Sequence, residues 1–178
     1  MLRSLLPGEY AVLGLLSLRP MHGYEMARFF DRDDLSEVCP LDQGLLYTYL
    51  RNVEERGLVA WEEVRVGLRP PRKRYQLTGE GTAAVEGWLR TPVARMREVR
   101  LDLLLKLYFL DQRDPEGLRR LVASQLEACE AYAARLAART ETSDGFAHLV
   151  ATPKLSAAEA TLGWLRRYAA GIAAEGAT

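Results

Sequence analysis

Apolar residues recur along the chain at two different periods, and the changes of period outline its elements. From Glu9, the run EYAVLGLLSL is apolar almost all round, as in a short helix buried against several neighbours. Arg19 and Pro20 end it, and His22-Gly23 leads into YEMARFF, where Met26, Phe29 and Phe30 recur at helical spacing. A polar turn, Asp31 to Ser36, separates this from Leu41 to Leu58, which predicts a third helix with two unlike faces. At about 100° per residue, Leu46, Tyr49, Leu50 and Val53 share one side, while Gly44, Tyr47, Thr48 and Arg51 share the other. Asp42, just after Pro40, predicts an N-cap, and Gly57 predicts the left-handed residue that closes the last turn.

The period then shortens to two. Residues 58–66, LVAWEEVRV, and residues 72–77, in which Tyr75 and Leu77 alternate with Arg72, Arg74 and Gln76, predict the two strands of a hairpin. GLRPP between them is too long for a tight turn, so the tip is expected to project as a loop. Thr78 is expected to cap a fourth helix through TAAVEGWLR, with Glu80 in its first turn. Three helices, a hairpin and a fourth helix spell a winged helix-turn-helix over residues 1–92.

Near Thr91-Pro92 the pattern breaks, and residues 93–178 predict an all-α second domain. MREVRLDLLLKLYFL is a strongly apolar helix. Asp114-Pro115-Glu116 starts a long one, with Leu118, Leu121, Val122, Leu126, Cys129, Tyr132 and Leu136 in a stripe to about Arg139. After a loop expected around Thr140 to Gly145, Thr152-Pro153 is read as the N-cap and first residue of the last helix, lined by Thr161, Trp164, Leu165, Tyr168 and Ile172. The fold class is mainly α with a small β-hairpin.

Composition narrows the function. With 24 basic and 24 acidic residues the net charge is zero, so any electrostatic role must be local. Cys39 and Cys129 stand 90 residues apart without a metal-ligand pattern, which suits a reducing cytoplasm and implies no cofactor. No signal peptide and no membrane-spanning run are evident. His22 and His148 lie in unrelated segments, no catalytic or phosphate-cradling motif surrounds them, and an enzyme is not expected. Cys39 beside the third helix is expected to be a small core residue.

The local charge is concentrated in the hairpin. Residues 65–74 hold Arg65, Arg69, Arg72, Lys73 and Arg74 with no acid, although residues 1–92 carry 12 basic against 13 acidic side chains. Cations on a hairpin beside a helix with a polar outer face have the chemistry to bind duplex DNA, the helix in the major groove and the wing on phosphates. Gln43 offers a paired donor and acceptor to adenine, Thr48 a hydroxyl and a methyl, and Arg51 a reach to guanine or phosphate; Tyr47 suits the backbone. Gly44 lets the first turn come close to the duplex, and the amide end of the second helix near His22, Gly23 and Tyr24 can take a further phosphate. A winged-helix module that docks a protein partner is the alternative.

AVLGLLSLRPMHGYEM, QGLLYTYLRNVEERGLV and RPPRKRYQLTGEGTAAVEGWL together resemble the PadR family of bacterial transcriptional regulators, closely over residues 8–92 and less specifically beyond. The resemblance implies a homodimeric repressor on a palindromic operator, released by a small effector, often aromatic. Leu45 departs from the family, which usually has a small hydroxyl residue there. Leu126, Tyr132, Leu136, Trp164, Leu165, Tyr168 and Ile172 are expected to form the dimer face, and Trp88, Tyr108 and Trp164 to line an effector site.

Overall fold

A computed structural model of the chain describes residues 4–32, 35–65 and 71–175. The expected loop 67–71 and Arg69 therefore lie largely outside the described residues; Pro71 alone of that loop is within them. The elements run α1 (Pro7–Leu18), β1 (Met21–His22), α2 (Gly23–Arg32), α3 (Leu35–Val38), α4 (Gln43–Glu55), β2 (Val59–Val64), β3 (Arg72–Leu77), α5 (Gly79–Arg90), a 3-10 turn (Met96–Glu98), a π turn (Val99–Leu103), α6 (Leu104–Arg113), α7 (Pro115–Thr142) and α8 (Gly145–Glu175). The chain forms two compact units, Met1–Leu89 with Arg100–Asp114, and Arg90–Val99 with Pro115–Thr178.

In the first unit α1 is the hub, packed on α4, α6 and β3. Ala11, Val12, Leu13 and Leu15 are fully buried, as the all-round apolar sequence expects. Glu9 is buried too, and it is satisfied: its carboxylate accepts from the Leu6 amide at 2.8 Å and from Asn52 Nδ2 at 2.9 Å, pinning the start of α1 to α4. A single cut at residue 92 is not what the packing gives. Residues 100–114 join the first unit because α6 lies against α1: a Cβ on Gly14 would stand 2.2 Å from the Phe109 ring, and Arg113 pairs with Glu86 on α5.

Both ends of α4 follow the sequence. Asp42 caps it, accepting from the Leu45 amide at 2.8 Å. Gly57, at φ +70°, closes it with Gly57 N–H to Glu54 O and Leu58 N–H to Val53 O, both 2.9 Å, the two bonds of a Schellman motif. Thr78 caps α5 through the Gly81 amide at 3.0 Å, while its hydroxyl donates to Gly57 O at 2.7 Å. The cap of one helix is thereby tied to the end of another.

The sheet has three strands, in the order β1-β3-β2, all antiparallel. The two-residue β1 adds Met21 opposite Tyr75 and His22 opposite Arg74, where the sequence predicts a turn and a two-stranded hairpin. A further departure is α3, a single helical turn inside the expected polar turn. The apolar helix expected over 96–110 is a helical run that begins as a 3-10 turn and a π turn before α6.

In the second unit α7 and α8 form a helical hairpin turned by Ser143 and Asp144, with Gly145 at φ +51°. The expected start of the last helix at Thr152-Pro153 is corrected: α8 begins at Gly145 and carries Pro153 inside it. Proline there removes one helical hydrogen bond, and Thr152 does not cap but donates its hydroxyl back to His148 O at 2.9 Å. The helix persists because Ala151, Ala158, Leu162 and Leu165 form a buried stripe on both sides of Pro153. Residues 90–99 are held to α7 by Gln125, whose buried amide accepts from Val93 N–H at 2.7 Å and donates to Val93 O at 3.2 Å.

Candidate nucleic-acid interface

Helix α4 divides as its periodicity dictates. Leu46, Leu50 and Val53 are buried, whereas Gln43, Gly44, Tyr47, Thr48 and Arg51 are exposed on the far side. Leu45 is exposed beside them, an apolar patch next to a polar face. The Thr48 hydroxyl donates to Gly44 O at 2.9 Å, so what Thr48 presents outward is a methyl and acceptor lone pairs. A Cβ on Gly44 would meet Asp42 Oδ1 at 3.2 Å and otherwise face open space, so packing within the unit leaves the outer side of this glycine clear.

The N-terminal end of α2 meets α4 and β3 around a cleft of about 620 Å³, lined by His22, Gly23, Tyr24, Tyr47, Arg72, Lys73 and Tyr75. Five of the ten side chains expected on DNA thus share one concavity. The His22 ring hydrogen-bonds Lys73 O at 2.8 Å and stacks on Tyr24 at 5.4 Å, and the Arg72 guanidinium lies 5.1 Å from the same tyrosine ring. Glu25 anchors the rim: it accepts from the His22 amide at 2.7 Å and from Arg19 at 3.1 Å. Burial pushes the Glu25 carboxyl upward, but these donors more than offset it and hold it below its ordinary value. Burial raises the Tyr75 phenol, helped by Glu54 and Tyr47, so it stays a neutral donor at pH 7. Gly23 fits because the Tyr47 ring comes so close: a Cβ there would stand 2.8 Å from Tyr47 Cε1.

The basic residues of β3 do not act as one patch. Arg74 reaches Glu62 at 3.7 Å across the strand pair. Lys73 is turned to the other face, its Nζ 3.8 Å from the centre of the Trp61 ring and 3.9 Å from Glu54 Oε1. Two exposed groups were not among the expected contacts. Arg28, one turn beyond Tyr24 on α2, lines a second cleft of about 380 Å³ with Asp42 and Gln43. The i, i+4 spacing from Tyr24 is the sequence signal for it. Trp61, 39% exposed, had no such signal.

The other expected positions fall into two groups. Leu136 and Leu165 are buried within a single chain, so they belong to its own packing rather than to an open face. Leu126, Tyr132, Trp164, Tyr168 and Ile172 are half-buried, with Trp164 stacked on Tyr168 at 6.0 Å. Phe146 and Leu149, near the start of α8, are the most exposed large apolar side chains among the described residues, at 78% and 65%. Trp88 is nearly buried, stacked on Tyr10 at 4.6 Å with Lys106 Nζ 5.3 Å from its ring, and Tyr108 is half-buried with its ring edge-on to Phe109. Cys39 is a core residue, its thiol pushed up to about 11 by burial and so inert. Among the described residues there is no group of three or more His, Cys, Asp or Glu placed to hold a metal, and no helix long and apolar enough to cross a membrane.

Residues 12–87, from α1 to α5, match the model of the transcriptional regulator PadR-like family. The matched stretch is a PadR-like domain. Residues 99–173 match a second model, virulence activator alpha C-term. The negative transcriptional regulator PadR of Bacillus subtilis (strain 168) is 24% identical over 123 residues, 69% of this chain and 67% of that protein. Among solved structures, Bacillus subtilis PadR in complex with operator DNA is 25% identical, with a TM-score of 0.47 over 92% of this chain and 98% of that one. The same protein in complex with p-coumaric acid is 24% identical, with a TM-score of 0.45 over 94% and 99%. The PadR-like regulator BC1756 of Bacillus cereus is 24% identical, with a TM-score of 0.42 over 94% and 99%. That match makes residues 12–87 the winged-helix domain of a transcriptional regulator rather than of an enzyme.

Proposed function

We propose that the protein is a cytoplasmic, homodimeric repressor that binds a palindromic operator through α4 and the wing, and that a small aromatic effector releases it. The observation that carries the DNA part is the cleft at the start of α2, where Tyr24, Tyr47 and Arg72 converge beside the exposed face of α4. Gln43, Thr48 and Arg51 read bases, Gly44 admits the duplex, and Tyr47, His22, Tyr24, Arg72 and Arg74 take the backbone. In this division of labour the first unit binds DNA and the second pairs the copies. The pairing face comprises Leu126, Tyr132, Trp164, Tyr168 and Ile172, to which we add the exposed Phe146 and Leu149. Tyr108 in the first unit and Trp164 in the second are separate candidate contacts for the effector, whereas Trp88 is already packed on Tyr10.

One winged helix covers few base pairs, so two copies on half-sites about 10 base pairs apart are expected to bind far more tightly than one. The promoter upstream of the protein's own gene, cut to a full palindrome and to a single half-site, tests this in anisotropy titrations alongside sedimentation. Equal affinity for the two duplexes, or a monomer at micromolar concentration, removes the dimeric reading. Gly23→Ala gives a separate check on the cleft. The new methyl displaces only the movable end of the Tyr47 ring, so the denaturation midpoint should hardly move while duplex affinity falls about fivefold, the worth of one hydrogen bond. Unchanged affinity would take Tyr47 out of the interface.

A further inference from the structure

Resting on the DNA-binding reading above, we infer that Lys73 is a positioning residue, which with Trp61 and Glu54 clasps the wing to the end of the recognition helix instead of contacting phosphate. Three contacts close a triangle, two of them on one carboxylate oxygen. Trp61 Nε1–H donates to Glu54 Oε1 at 2.6 Å, Lys73 Nζ approaches the same oxygen at 3.9 Å, and that ammonium sits 3.8 Å from the centre of the Trp61 ring. Glu54 lies in the last turn of α4, Trp61 on β2 and Lys73 on β3, so the clasp joins the helix to both strands of the hairpin.

Strand alternation is the reason Lys73 differs from its neighbours. Tyr75, two residues on, is buried, and Lys73 shares its face, whereas Arg72 and Arg74 project from the opposite one. Arg72 reaches Tyr24 at the duplex side of the cleft and Arg74 reaches Glu62, neither of which belongs to the clasp. The Trp61–Glu54 hydrogen bond ties the last turn of α4 directly to β2 and so helps set the angle of the wing to the helix. A winged helix engages helix and wing together, so an error in that angle weakens cognate binding without removing a phosphate contact.

The sign of the Glu54 effect separates this from simple electrostatics. Removing an acid near DNA should tighten binding if charge alone mattered. The clasp requires the opposite. With the full chain and a labelled duplex of its own promoter, Lys73→Met and Glu54→Ala are each expected to weaken specific binding about tenfold, and the double variant to be no worse than either single one. The slope of log affinity against log salt should stay unchanged in all three, Lys73→Arg should restore most of the affinity, and denaturation midpoints should confirm folding. Arg72→Met, a phosphate contact, should instead lower the slope by about one. A slope lowered by about one in Lys73→Met, or unchanged or tighter binding by Glu54→Ala, overturns the clasp while leaving DNA binding in place. If the unmutated protein shows no salt-sensitive binding and Arg72→Met changes nothing, the underlying DNA reading fails, and the clasp with it.

Discussion

Replacing Gly81 by alanine is expected to cost the first unit about 3 kcal/mol or more, and valine to prevent its folding. A Cβ at Gly81 would stand 1.9 Å from Leu58 O and 2.9 Å from Leu58 C, so the obstacle is backbone rather than a side chain that can swing aside. The backbone at that point is fixed from several directions. Leu58 O accepts from Thr78 N–H at 3.1 Å, the Thr78 hydroxyl donates to Gly57 O, and Leu58 N–H closes α4 through Val53 O. Moving Leu58 out of the way would break the end of α4 and the start of α5 together. Gly87, in the same helix, is the control: nothing lies within 4 Å of its Cβ position, and Gly87→Ala should stabilise by up to about 1 kcal/mol. Urea denaturation followed by far-UV dichroism reads both. If Gly81→Ala unfolds at the midpoint of the unmutated protein, the joint is looser than its contacts imply.

Removing Arg51 and Arg72 together is expected to weaken operator binding by about two orders of magnitude or more, each guanidinium contributing about 1–3 kcal/mol. Their losses should differ in kind. Arg51 is exposed on the outer face of α4, the face proposed to read base edges, so Arg51→Ala should narrow the gap between operator and unrelated duplex. Arg72 lies over Tyr24 at the cleft, an exposed cation–π contact that costs little to exchange for a phosphate. Arg72→Ala should therefore weaken all duplexes alike and flatten the salt dependence. Arg119 on α7, paired with Glu116 at 3.1 Å, is the matched control, and Arg119→Ala should leave binding unchanged. Titrations of the four proteins against operator and scrambled duplex give the comparison; a loss in Arg119→Ala equal to that in Arg51→Ala would move the interface off α4.

The elements that carry these predictions were legible because each has a local physical cause. The two faces of α4 follow from where Leu46, Leu50 and Val53 fall on a helix, and its ends from Asp42 and Gly57. What escaped the sequence depends on partners distant in the chain. Met21 and His22 are too few to show a strand period, and they become a strand only because Tyr75 and Arg74 lie opposite. Thr152-Pro153 has the form of a helix start, but the stripe that holds α8 together is built partly of Ala151 and Ala158, which a hydrophobic count underweights. The same small-residue packing buries Leu165, which as a bare sequence position is indistinguishable from the half-buried Tyr168 beside it on the same helix. In the basic run 72–74 the charges were plain, but the direction of Lys73 became clear only from the Trp61 and Glu54 side chains that receive it.

The most direct test of the central claim is the salt dependence of binding by the unmutated protein to its own promoter, with a scrambled duplex of the same length in competition. Specific binding that survives the competitor, and whose log affinity falls linearly and steeply with log salt, is the expected result for a dimer holding several phosphates on each half-site. Binding that ignores salt, or that the scrambled duplex removes at equal concentration, would contradict it.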